Sequence, residues 1–469
     1  MNWQGKRVTV AGLGVSGIPA ARVLSGLGAE VTVVNDGDDE RSRTQAAGLE
    51  KLGVTVRLGD GDTLPAGTEL VVTAPGWRPD KPLFTAAAAA GVEVWGDVEL
   101  AWRLRGPGAA PWLAVTGTNG KTTTVRMLAS ILTAAGLRTA AVGNIGVSLL
   151  DAVAGDETYD VLAVELSSYQ LHWAPSLRAH SAAVLNLAPD HLDWHGSMEA
   201  YAADKGRIYE GNRIACVYNV ADPATEDLVR AADVEEGCRA IGFTLGTPGP
   251  SQLGVVDGIL VDRAFVENRR DQAQELAHVT DVDPPAPHNI ANALAAAALA
   301  RAYGVAPTAV RDGLRAFRPD PHRIELVART GDVTYIDDSK ATNTHAAEAS
   351  LAAYDPIVWI AGGLAKGAAF DDLVSGSAKR LRAVVLIGAD RALIREALAR
   401  HAPEVPVVDL DRTDTGAMPA AVREAARLAQ PGDTVLLAPA CASMDMFTNY
   451  NERGEAFADA VRALAAEHA

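Results

Sequence analysis

Residues 115–124 read Val-Thr-Gly-Thr-Asn-Gly-Lys-Thr-Thr-Thr, and they lie between an apolar run at 112–115 and a helical pattern that begins at Val125. Apolar runs followed by amphipathic periodicity predict a strand, a loop and a helix. Such a glycine-rich loop turns its backbone N–H groups toward phosphate, and the helix N-terminus adds partial positive charge. The stretch therefore predicts an ATP site. The residues expected to contact ATP here are Gly117, Thr118, Asn119, Gly120, Lys121, Thr122 and Thr123.

Two side chains of this loop carry chemistry. Lys121 has the reach to contact the outer phosphates, and the Thr122 hydroxyl is a ligand for Mg²⁺. The first glycine of the general phosphate-loop pattern would fall at Val115, so the match to that pattern is incomplete. The alternative is a glycine-rich turn that binds nothing, but a Lys-Thr pair at a helix start has no packing purpose.

Composition limits the class of protein. The 469 residues predict about three domains. A net charge of −17 argues against a nucleic-acid binder. No secretory leader precedes Val8 and no uncharged apolar stretch reaches about 20 residues, so we expect a cytoplasmic protein with no membrane partner. The three cysteines are too far apart in sequence to predict a disulfide framework or a zinc site. We expect a monomer.

We predict an α/β fold with three domains: an N-terminal Rossmann-like domain at 1–95, a central P-loop ATPase-like domain with a mostly parallel sheet at 96–319, and a C-terminal Rossmann-like domain at 320–469. In the central domain, strands are expected to alternate with helices through about residue 316. A turn at 318–321, rich in proline and arginine, marks the last boundary.

The first domain opens with a strand at 8–11, the glycine pattern at 12–17, and a second strand at 31–34 that ends in Asn35-Asp36. This is the dinucleotide-binding fingerprint, which alone favours a nicotinamide enzyme. Because a phosphate loop follows, we predict a site for a nucleotide-sugar diphosphate instead. A glycine turn kept only for helix packing is the alternative. The residues predicted to contact this ligand are Gly14, Val15, Ser16, Asp36 and Ala74.

Two strand ends of the central domain carry candidate metal ligands. Glu165 ends a strand, where its carboxylate is placed to meet the Mg²⁺ held by Thr122. His191 follows another strand, although Mg²⁺ prefers oxygen ligands, so an ordinary loop histidine is the alternative. By spacing alone Lys205 is a solvated helix residue, and Asn289 and Asn292 are either adenine-binding amides or N-caps.

The third domain has polar loops after consecutive strands, which is typical of a binding crevice. Residues 338–343 read Asp-Ser-Lys-Ala-Thr-Asn. We expect Arg323 and Asp338 to close over the ATP ribose and phosphates, and Lys340 to face the transferring phosphoryl group. Loops at 362–367 and 439–447 follow the next strand and the last one.

Thr-Gly-Thr-Asn-Gly-Lys-Thr-Thr at 116–123 resembles the phosphate loop of the Mur ligases, ATP-dependent enzymes that add amino acids to the peptide stem of peptidoglycan precursors. The likeness extends from Gly12 to Tyr450. The motifs at 338–343 and 441–447 resemble those of the members that add D-glutamate. The resemblance implies ATP-dependent joining of D-glutamate to UDP-N-acetylmuramoyl-L-alanine through an acyl phosphate.

The resemblance also implies site residues. It makes Lys205 a carbamylated lysine that ligates a second Mg²⁺, makes His191 a metal ligand, and places Asn289 and Asn292 in the ATP site. The implied metal ligands are Thr122, Glu165, His191 and Lys205, and the implied catalytic residues are Lys121, Glu165, His191, Lys205 and Lys340. Further implied contacts to the UDP substrate are Asn144, Ser167, Gln170 and His191, and those to D-glutamate are Thr342, Lys366, Ser443, Met444 and Tyr450.

Two departures from the family pattern affect these expectations. Asn35-Asp36-Gly37 replaces a common Asp-Thr-Arg, which removes a cation from the expected uridine site. Ala188-Pro189 replaces a common Thr-Glu before Asp190-His191. Three other classes stay open: a folylpolyglutamate synthetase, which lacks a Rossmann-like front domain; a nicotinamide oxidoreductase, which leaves the phosphate loop unexplained; and a noncatalytic nucleotide-binding regulator.

Overall fold

A computed structural model describes residues 2–319 and 321–467. The chain divides into two compact units. The first comprises the residues up to Pro285 together with Asn289–Phe317, and the second comprises Ala286–His288 and the residues from Arg318 onward. The predicted boundary turn at 318–321 includes Asp320, which lies outside the described residues. No helix in the described part of the chain has the length and apolar character to cross a bilayer.

The first sheet has five parallel strands in the order β3-β2-β1-β4-β5. Strands β2 and β3 are added on one side of β1 and strands β4 and β5 on the other, so the strand order reverses between β1 and β4. The strands predicted at 8–11, 31–34 and 70–73 are confirmed. The strands are β1 (Arg7–Ala11), β2 (Glu30–Asn35), β3 (Thr55–Leu58), β4 (Leu70–Thr73) and β5 (Glu93–Gly96), and the helices around them are α1 (Gly17–Gly26), α2 (Glu40–Glu50), α3 (Pro82–Ala89) and α4 (Asp97–Leu104).

The second sheet has nine strands in the order β14-β13-β12-β11-β10-β9-β6-β8-β7. Its strands are β6 (Trp112–Thr116), β7 (Ala141–Gly143), β8 (Leu162–Glu165), β9 (Ser181–Val184), β10 (Ala215–Asn219), β11 (Arg239–Phe243), β12 (Gln252–Val256), β13 (Ile259–Asp262) and β14 (Gln274–His278). Its helices are α5 (Lys121–Ala134), α6 (Leu149–Ala154), α7 (Ser168–His172), α8 (Leu192–His195), α9 (Met198–Gly206), α10 (Pro223–Ala231), α11 (Pro287–Ala302) and α12 (Pro307–Ala316).

The prediction that this sheet is mostly parallel is confirmed, but the expected alternation of strands and helices is wrong between 252 and 278. There β12, β13 and β14 follow one another as antiparallel neighbours. Asp257-Gly258 forms the two-residue turn between β12 and β13, and both residues have positive φ, 49° and 76°. An Asp-Gly pair between two apolar runs is a hairpin signal, and here it prevails over the alternating pattern.

The third sheet has six strands in the order β15-β16-β20-β17-β18-β19, all parallel except for the β15–β16 pair. The strands are β15 (Glu325–Thr330), β16 (Val333–Asp337), β17 (Ile357–Gly362), β18 (Leu381–Ile387), β19 (Val407–Asp409) and β20 (Thr434–Leu437). The helices are α13 (Thr344–Ala352), α14 (Asp371–Ser377), α15 (Arg391–His401), α16 (Ala417–Leu428) and α17 (Tyr450–Glu467).

The core of the central sheet holds the phosphate loop in place. Strand β6 is buried along its whole length between β8 and β9. Helix α5 packs on it through side chains such as Met127, Leu128 and Ile131, which are fully buried. Burying each such side chain contributes roughly 1.5–3 kcal/mol. The loop therefore lies at the carboxyl end of an anchored strand, which is where α/β sheets bind ligands.

Candidate active site

The phosphate loop has the backbone geometry that its sequence predicts. Gly117 has φ of 154°, and Gly120 caps helix α5 in the left-handed region with φ of 82°. A Cβ added at Gly120 would lie 2.4 Å from Oδ1 of Asn292. The loop is also held by Asn186, whose Oδ1 accepts from the backbone N–H of Asn119 at 2.9 Å. Only glycine fits at position 120, because a side chain there would be strained and would clash with Asn292.

The side-chain nitrogen atoms of two lysines meet on this loop. Lys121 Nζ donates to the carbonyl oxygens of Gly117 at 2.9 Å and Thr118 at 2.8 Å. Lys205 Nζ donates to the same Gly117 oxygen at 2.9 Å. Lys205 is 2% exposed, so the expectation from spacing that it is a solvated helix residue is wrong. Its burial and then the charge of Lys121 hold the pKa of Lys205 well below 10.5.

Glu165 presents a buried carboxylate to the same region. It ends strand β8 and is 2% exposed. Its Oε1 accepts from Asn144 Nδ2 at 3.0 Å, whereas Oε2 has no hydrogen-bond partner among the described residues. A buried carboxylate oxygen without a donor costs free energy unless a cation or a donor meets it. The chemistry of Glu165 thus fits a ligand for a hard cation such as Mg²⁺.

His191 lies beside this cluster in a left-handed backbone conformation with φ of 54°. Burial lowers the pKa of His191, and the charges of Lys121 and Lys205 lower it further, while Asp190 acts in the opposite direction. Its Nε2 lies 3.4 Å from an oxygen of Asp190. The lowered pKa favours the neutral imidazole, which is the form that binds metals.

Helix α9, which carries Lys205, is anchored by a network that the sequence patterns did not single out. Asp204 accepts from Nδ1 of His172 at 2.9 Å and from Nδ1 of His195 at 3.0 Å. The other ring nitrogen of His195 lies 3.0 Å from Oγ of Ser168, three residues after Glu165. The network therefore ties the lysine helix to the strand end that carries Glu165. The only sequence signal is that Asp204 precedes Lys205.

The two amides predicted to bind adenine lie next to the phosphate loop. Asn289 and Asn292 occupy the start of helix α11 and are both buried. Asn292 Nδ2 donates to Oδ1 of Asn289 at 3.4 Å, and Asn292 abuts Gly120 as described above. Their predicted role toward ATP stays a prediction.

The predicted nucleotide-sugar residues share the carboxyl edge of the first sheet. A Cβ added at Gly17 would lie 1.9 Å from the Gly12 carbonyl oxygen, so glycine is required for the turn to close. The Ala74 backbone N–H donates to Ala11 at 2.9 Å, which brings the loop after β4 beside the loop after β1. Gly14 and Val15 lie at the exposed tip of the loop, and Val15 is 90% exposed.

The cation that the family pattern leads one to expect beside Asp36 comes from elsewhere in the chain. Lys81 Nζ lies 3.0 Å from Oδ1 of Asp36 and 2.9 Å from Oδ1 of Asp62. Lys81 also lies over the Trp77 ring, 4.8 Å from its centroid. A lysine 45 residues away in sequence thus places a cation beside Asp36, where it is shared with a second carboxylate, that of Asp62.

Within the first unit, side-chain hydrogen bonds join loops at the edge of the first sheet to residues of the central sheet's domain. Ser16 Oγ donates to Oδ2 of Asp97 at 2.9 Å. The Trp194 indole donates to the Gly76 carbonyl at 3.2 Å, and Trp194 lies three residues after His191. Ser167 and Gln170 form a capping box at helix α7, next to Glu165. The structure therefore brings the predicted substrate residues of both sheets into one region of this unit.

In the second unit, Asp338 follows strand β16 and is buried. Burial raises the pKa of Asp338 to about 6, which the Ser350 hydroxyl and the charge of Arg323 partly oppose. Lys340 lies over the Tyr450 ring, 4.1 Å from its centroid.

Backbone hydrogen bonds bring the three polar loops of the second unit together. Ala440 donates to Ala341 at 2.9 Å, and Leu364 and Ala442 exchange two hydrogen bonds of 2.9 Å. Thr342, Lys366 and Ser443 are thus carried on adjoining loops, as the sequence predicts. The structure places two more members of the predicted D-glutamate set in this unit: Met444, which is 61% exposed, and Tyr450, which begins α17.

Comparison with known proteins agrees with this geometry. The Mur ligase middle domain matches residues 115–300, and the Mur ligase glutamate ligase domain matches residues 322–441. The chain is 87% identical over 465 residues to UDP-N-acetylmuramoylalanine–D-glutamate ligase from Streptomyces avermitilis, covering 99% of this chain and 100% of that one. The chain belongs to the Mur ligase family. The UDP-N-acetylmuramoylalanine–D-glutamate ligase from Thermobifida fusca is 62% identical to this Mur ligase, covering 99% of this chain and 100% of that one.

Solved structures support the Mur ligase fold. MurF ligase from Thermotoga maritima, solved in complex with ADP, matches with a TM-score of 0.60 at 15% identity. The match covers 94% of this chain and 96% of that one. At that identity the likeness concerns the fold alone. This chain therefore shares its mixed α/β fold with that Mur ligase.

Proposed function

We propose that this Mur ligase joins the amine of D-glutamate to the terminal carboxylate of UDP-N-acetylmuramoyl-L-alanine at the expense of ATP, in peptidoglycan precursor synthesis. One observation carries the chemistry: Lys121, Lys205, Glu165 and His191 converge on the phosphate loop within one compact unit. The substrate assignment is supported by the D-glutamate ligases of Streptomyces avermitilis and Thermobifida fusca, which match over 99% of this chain.

A carboxylate is a poor electrophile, so it is first phosphorylated. One of its oxygens attacks the γ-phosphorus of ATP, the bond to ADP breaks, and an acyl phosphate forms. The Lys121 ammonium and the loop N–H groups stabilise the negative charge that spreads over the phosphoryl oxygens. The amine of D-glutamate then attacks the carbonyl carbon, and inorganic phosphate leaves from the tetrahedral intermediate.

We assign Mg²⁺ to the edge formed by Thr122, Glu165, His191 and Lys205, because the unpartnered Glu165 Oε2 fits a hard cation. Bound Mg²⁺ supplies charge neutralisation on the phosphate oxygens. Two ions are proposed, with Lys205 carbamylated. Carbamylation needs a neutral amine whose lone pair attacks CO₂ with release of a proton, and the lowered pKa of Lys205 supports that form.

We also propose the domain boundaries, the residues that bind each substrate, the oligomeric state and the location of the enzyme. The domains are 1–95 for the UDP substrate, 96–319 for ATP and 320–469 for D-glutamate. Arg323, Asp338 and Lys340 act on the nucleotide, and Thr342, Lys366, Ser443, Met444 and Tyr450 bind D-glutamate. The residues proposed to bind ATP, the UDP substrate and D-glutamate all belong to a single chain, which supports a monomer. The proposed use of ATP supports a cytoplasmic enzyme.

The test measures phosphate release from ATP with Mg²⁺ and UDP-N-acetylmuramoyl-L-alanine. Four parallel reactions contain D-glutamate, L-glutamate, L-lysine or no amino acid. We expect release with D-glutamate alone, together with a product heavier by one glutamyl residue in the mass spectrum. Release with another amino acid would overturn the assignment of the loops at 338–343 and 441–447, and no release at all would favour a nucleotide-binding regulator.

A further inference from the structure

Two of the three cysteines meet in the central sheet. Cys216 lies in strand β10, and Cys238 immediately precedes strand β11. The two strands are parallel neighbours, and Cys216 pairs with Ala240, which lies two residues after Cys238. Side chains two residues apart along an extended chain share a face, so both thiols lie on one face of the sheet. Their sulfur atoms are 3.9 Å apart, although the residues are 22 positions apart in sequence.

The two thiols have different surroundings. Cys216 is 2% exposed and belongs to the hydrophobic core. Cys238 is half-buried and follows an exposed turn at Glu236-Gly237. A Cβ added at Gly237 would meet no atom within 4 Å, so this turn has room to shift. A small oxidant in solution therefore meets Cys238 before it meets Cys216.

The contact between the sulfur atoms also separates the two thiols in acidity. The hydrogen bond to Cys238 and then burial raise the pKa of Cys216. The same hydrogen bond, in which the Cys216 thiol donates, lowers the pKa of Cys238. The thiolate is the form of cysteine that attacks an oxidant. Cys238 is therefore suited to react first, with Cys216 as the thiol that attacks it afterwards.

The neighbourhood of the pair fits a disulfide better than a metal site. Structural zinc sites use four ligands. Among the described residues, the one group of three or more metal-ligating side chains that is placed to share an ion is His322, Glu325 and Asp337, in the second unit. The cysteine pair has no third ligand in the same part of the chain. A disulfide needs none, and its sulfur atoms lie ~2.0 Å apart, so a modest approach of Cys238 is enough.

We propose that Cys238 and Cys216 are a modification site, at which a peroxide converts the two thiols into a reversible disulfide within the folded protein. The site does not depend on the proposed ligation. In a reducing compartment both residues stay thiols until such an oxidant arrives.

The reaction has two steps. The Cys238 thiolate attacks one oxygen of hydrogen peroxide, the O–O bond breaks, and a sulfenic acid forms while hydroxide leaves and takes up the Cys238 proton. The Cys216 sulfur then attacks the Cys238 sulfur, the S–O bond breaks, and the oxygen leaves as water with the Cys216 proton. Two thiols and one peroxide thus give one disulfide and two waters. The second step protects Cys238 from irreversible oxidation to a sulfinic or sulfonic acid.

The experiment treats the reduced, full-length protein with hydrogen peroxide, removes the excess with catalase and blocks the remaining thiols with N-ethylmaleimide in denaturant. Trypsin cleaves after Arg213, Arg230 and Arg239, so the two cysteines fall on the separate peptides 214–230 and 231–239. We expect a mass spectrum in which these peptides are joined with the loss of two hydrogen atoms, and dithiothreitol should separate them. The free thiols per chain should fall from three to one, since two of the three cysteines enter the disulfide.

Thermal unfolding of the oxidised and reduced protein tests whether the crosslink fits the native fold. The midpoint of the oxidised protein should be higher, because a disulfide restricts the unfolded chain between the two cysteines.

Single substitutions distinguish the roles of the two thiols. Cys216→Ala should leave a sulfenic acid at Cys238 that dimedone traps, whereas Cys238→Ala should leave Cys216 reduced and unlabelled. Cys441→Ala is the matched control, because it removes the third cysteine, which is also buried. Burial raises the pKa of Cys441 to about 12, so this thiol is a poor nucleophile near neutral pH. The control should form the disulfide to the same extent as the wild type.

Three results in the wild-type protein would overturn the proposal, whether or not the variants fold. Peptides 214–230 and 231–239 that stay unlinked after peroxide treatment would mean that the sulfur contact is packing alone. A crosslink to Cys441 or between two chains would mean that the reactive thiols are not paired as the fold suggests. A disulfide that forms only in denaturant, or that lowers the unfolding midpoint, would mean that the native fold does not accommodate it.

Discussion

Two glycine-rich loops in this Mur ligase follow interior strands of two parallel-rich sheets, and they differ in the charged groups near them. The loop at 12–17 closes tightly, since a Cβ at Gly17 would lie 1.9 Å from the Gly12 oxygen, and the carboxylate of Asp97 accepts a hydrogen bond from its Ser16. The loop at 117–121 has Lys121 and Lys205 directed at its carbonyl oxygens.

The difference shows that glycines shape such a loop, while the surrounding charges select its ligand. Carboxylates can accept hydrogen bonds from sugar hydroxyls and base N–H groups, so Asp36 and Asp97 suit the nucleotide sugar that we propose binds at the first loop. The ammonium group of Lys121 on the second loop suits the triphosphate of the ATP that we propose binds there. The same strand–loop–helix geometry therefore serves a nucleotide sugar at one proposed site and phosphoryl transfer at the other.

The largest expected effect is that of Lys121→Ala. Removing this ammonium group should lower kcat at least 100-fold, since a single stabilising donor at a developing charge contributes about that much. The fold should survive, because helix α5 keeps its buried face. The measurement is phosphate release, with the unfolding curve as a check and the exposed Lys51→Ala as the control. Near-normal turnover in Lys121→Ala would contradict the mechanism.

Lys205→Ala tests whether the second lysine acts as a carbamate. We expect a loss of at least about 100-fold in kcat, partly restored by formate or acetate, whose carboxylate fits the space that the side chain leaves. Lys205→Arg keeps a bulky cation there and should not respond to added acids. If no small acid restores activity to Lys205→Ala, the carbamate assignment is wrong.

Substituting one glycine in each loop separates their ligands. Gly120→Ala places a side chain at φ of 82° and 2.4 Å from Asn292, a strain of ~1–3 kcal/mol. It should raise the KM for ATP about tenfold, the equivalent of ~1.4 kcal/mol. Gly12→Ala, at φ of 106°, should raise the KM for the UDP substrate and change the KM for ATP less than twofold. Steady-state kinetics measure the KM for ATP and the KM for the UDP substrate in each variant. If either variant raised both KM values equally, the assignment of ATP to one loop and of the UDP substrate to the other would be wrong.

The smallest effect concerns stability. Lys205→Met replaces a buried amine with an apolar chain of similar length and should raise the free energy of unfolding by ~1–3 kcal/mol near pH 7. The folded-state pKa of Lys205 is lowered below its ordinary 10.5. Between those two pKa values the unfolded chain binds the proton and the folded chain does not, so wild-type stability rises with pH.

Denaturant unfolding in CO₂-free buffer between about pH 6 and the ordinary lysine pKa measures this dependence. The gain from Lys205→Met should shrink as pH rises, whereas Lys51→Met should show neither a gain nor a pH-dependent difference from wild type. A gain that is constant with pH would mean that the Lys205 amine does not titrate in a buried site.

The sequence predicted the local parts of the site well. The phosphate loop and the strands before it were recognisable because their residues are contiguous and their backbone geometry depends on glycine. Position 205 shows the limit: spacing alone predicts a solvated lysine, yet the side chain is 2% exposed. The antiparallel strands at 252–278 depart from the predicted alternation, although Asp257-Gly258 signals a hairpin.

Contacts between distant residues were beyond the reach of sequence patterns. Lys81 meets Asp36, and Asp204 joins His172 to His195, only because separate strands and helices meet in the fold. Cys216 and Cys238 are 22 residues apart, yet their sulfur atoms are 3.9 Å apart as free thiols. The predicted domain boundaries and the role of each residue toward substrate stay predictions.

The sequence by itself determined the α/β class, the place of the phosphate loop and the likeness to the Mur ligases, because glycine requirements and hydrophobic periodicity are local properties of the chain. Only the tertiary structure decided the lowered pKa of Lys205 and the unpartnered oxygen of Glu165, both within the described residues. These features depend on burial and on neighbouring charges, and both are set by which distant segments pack together.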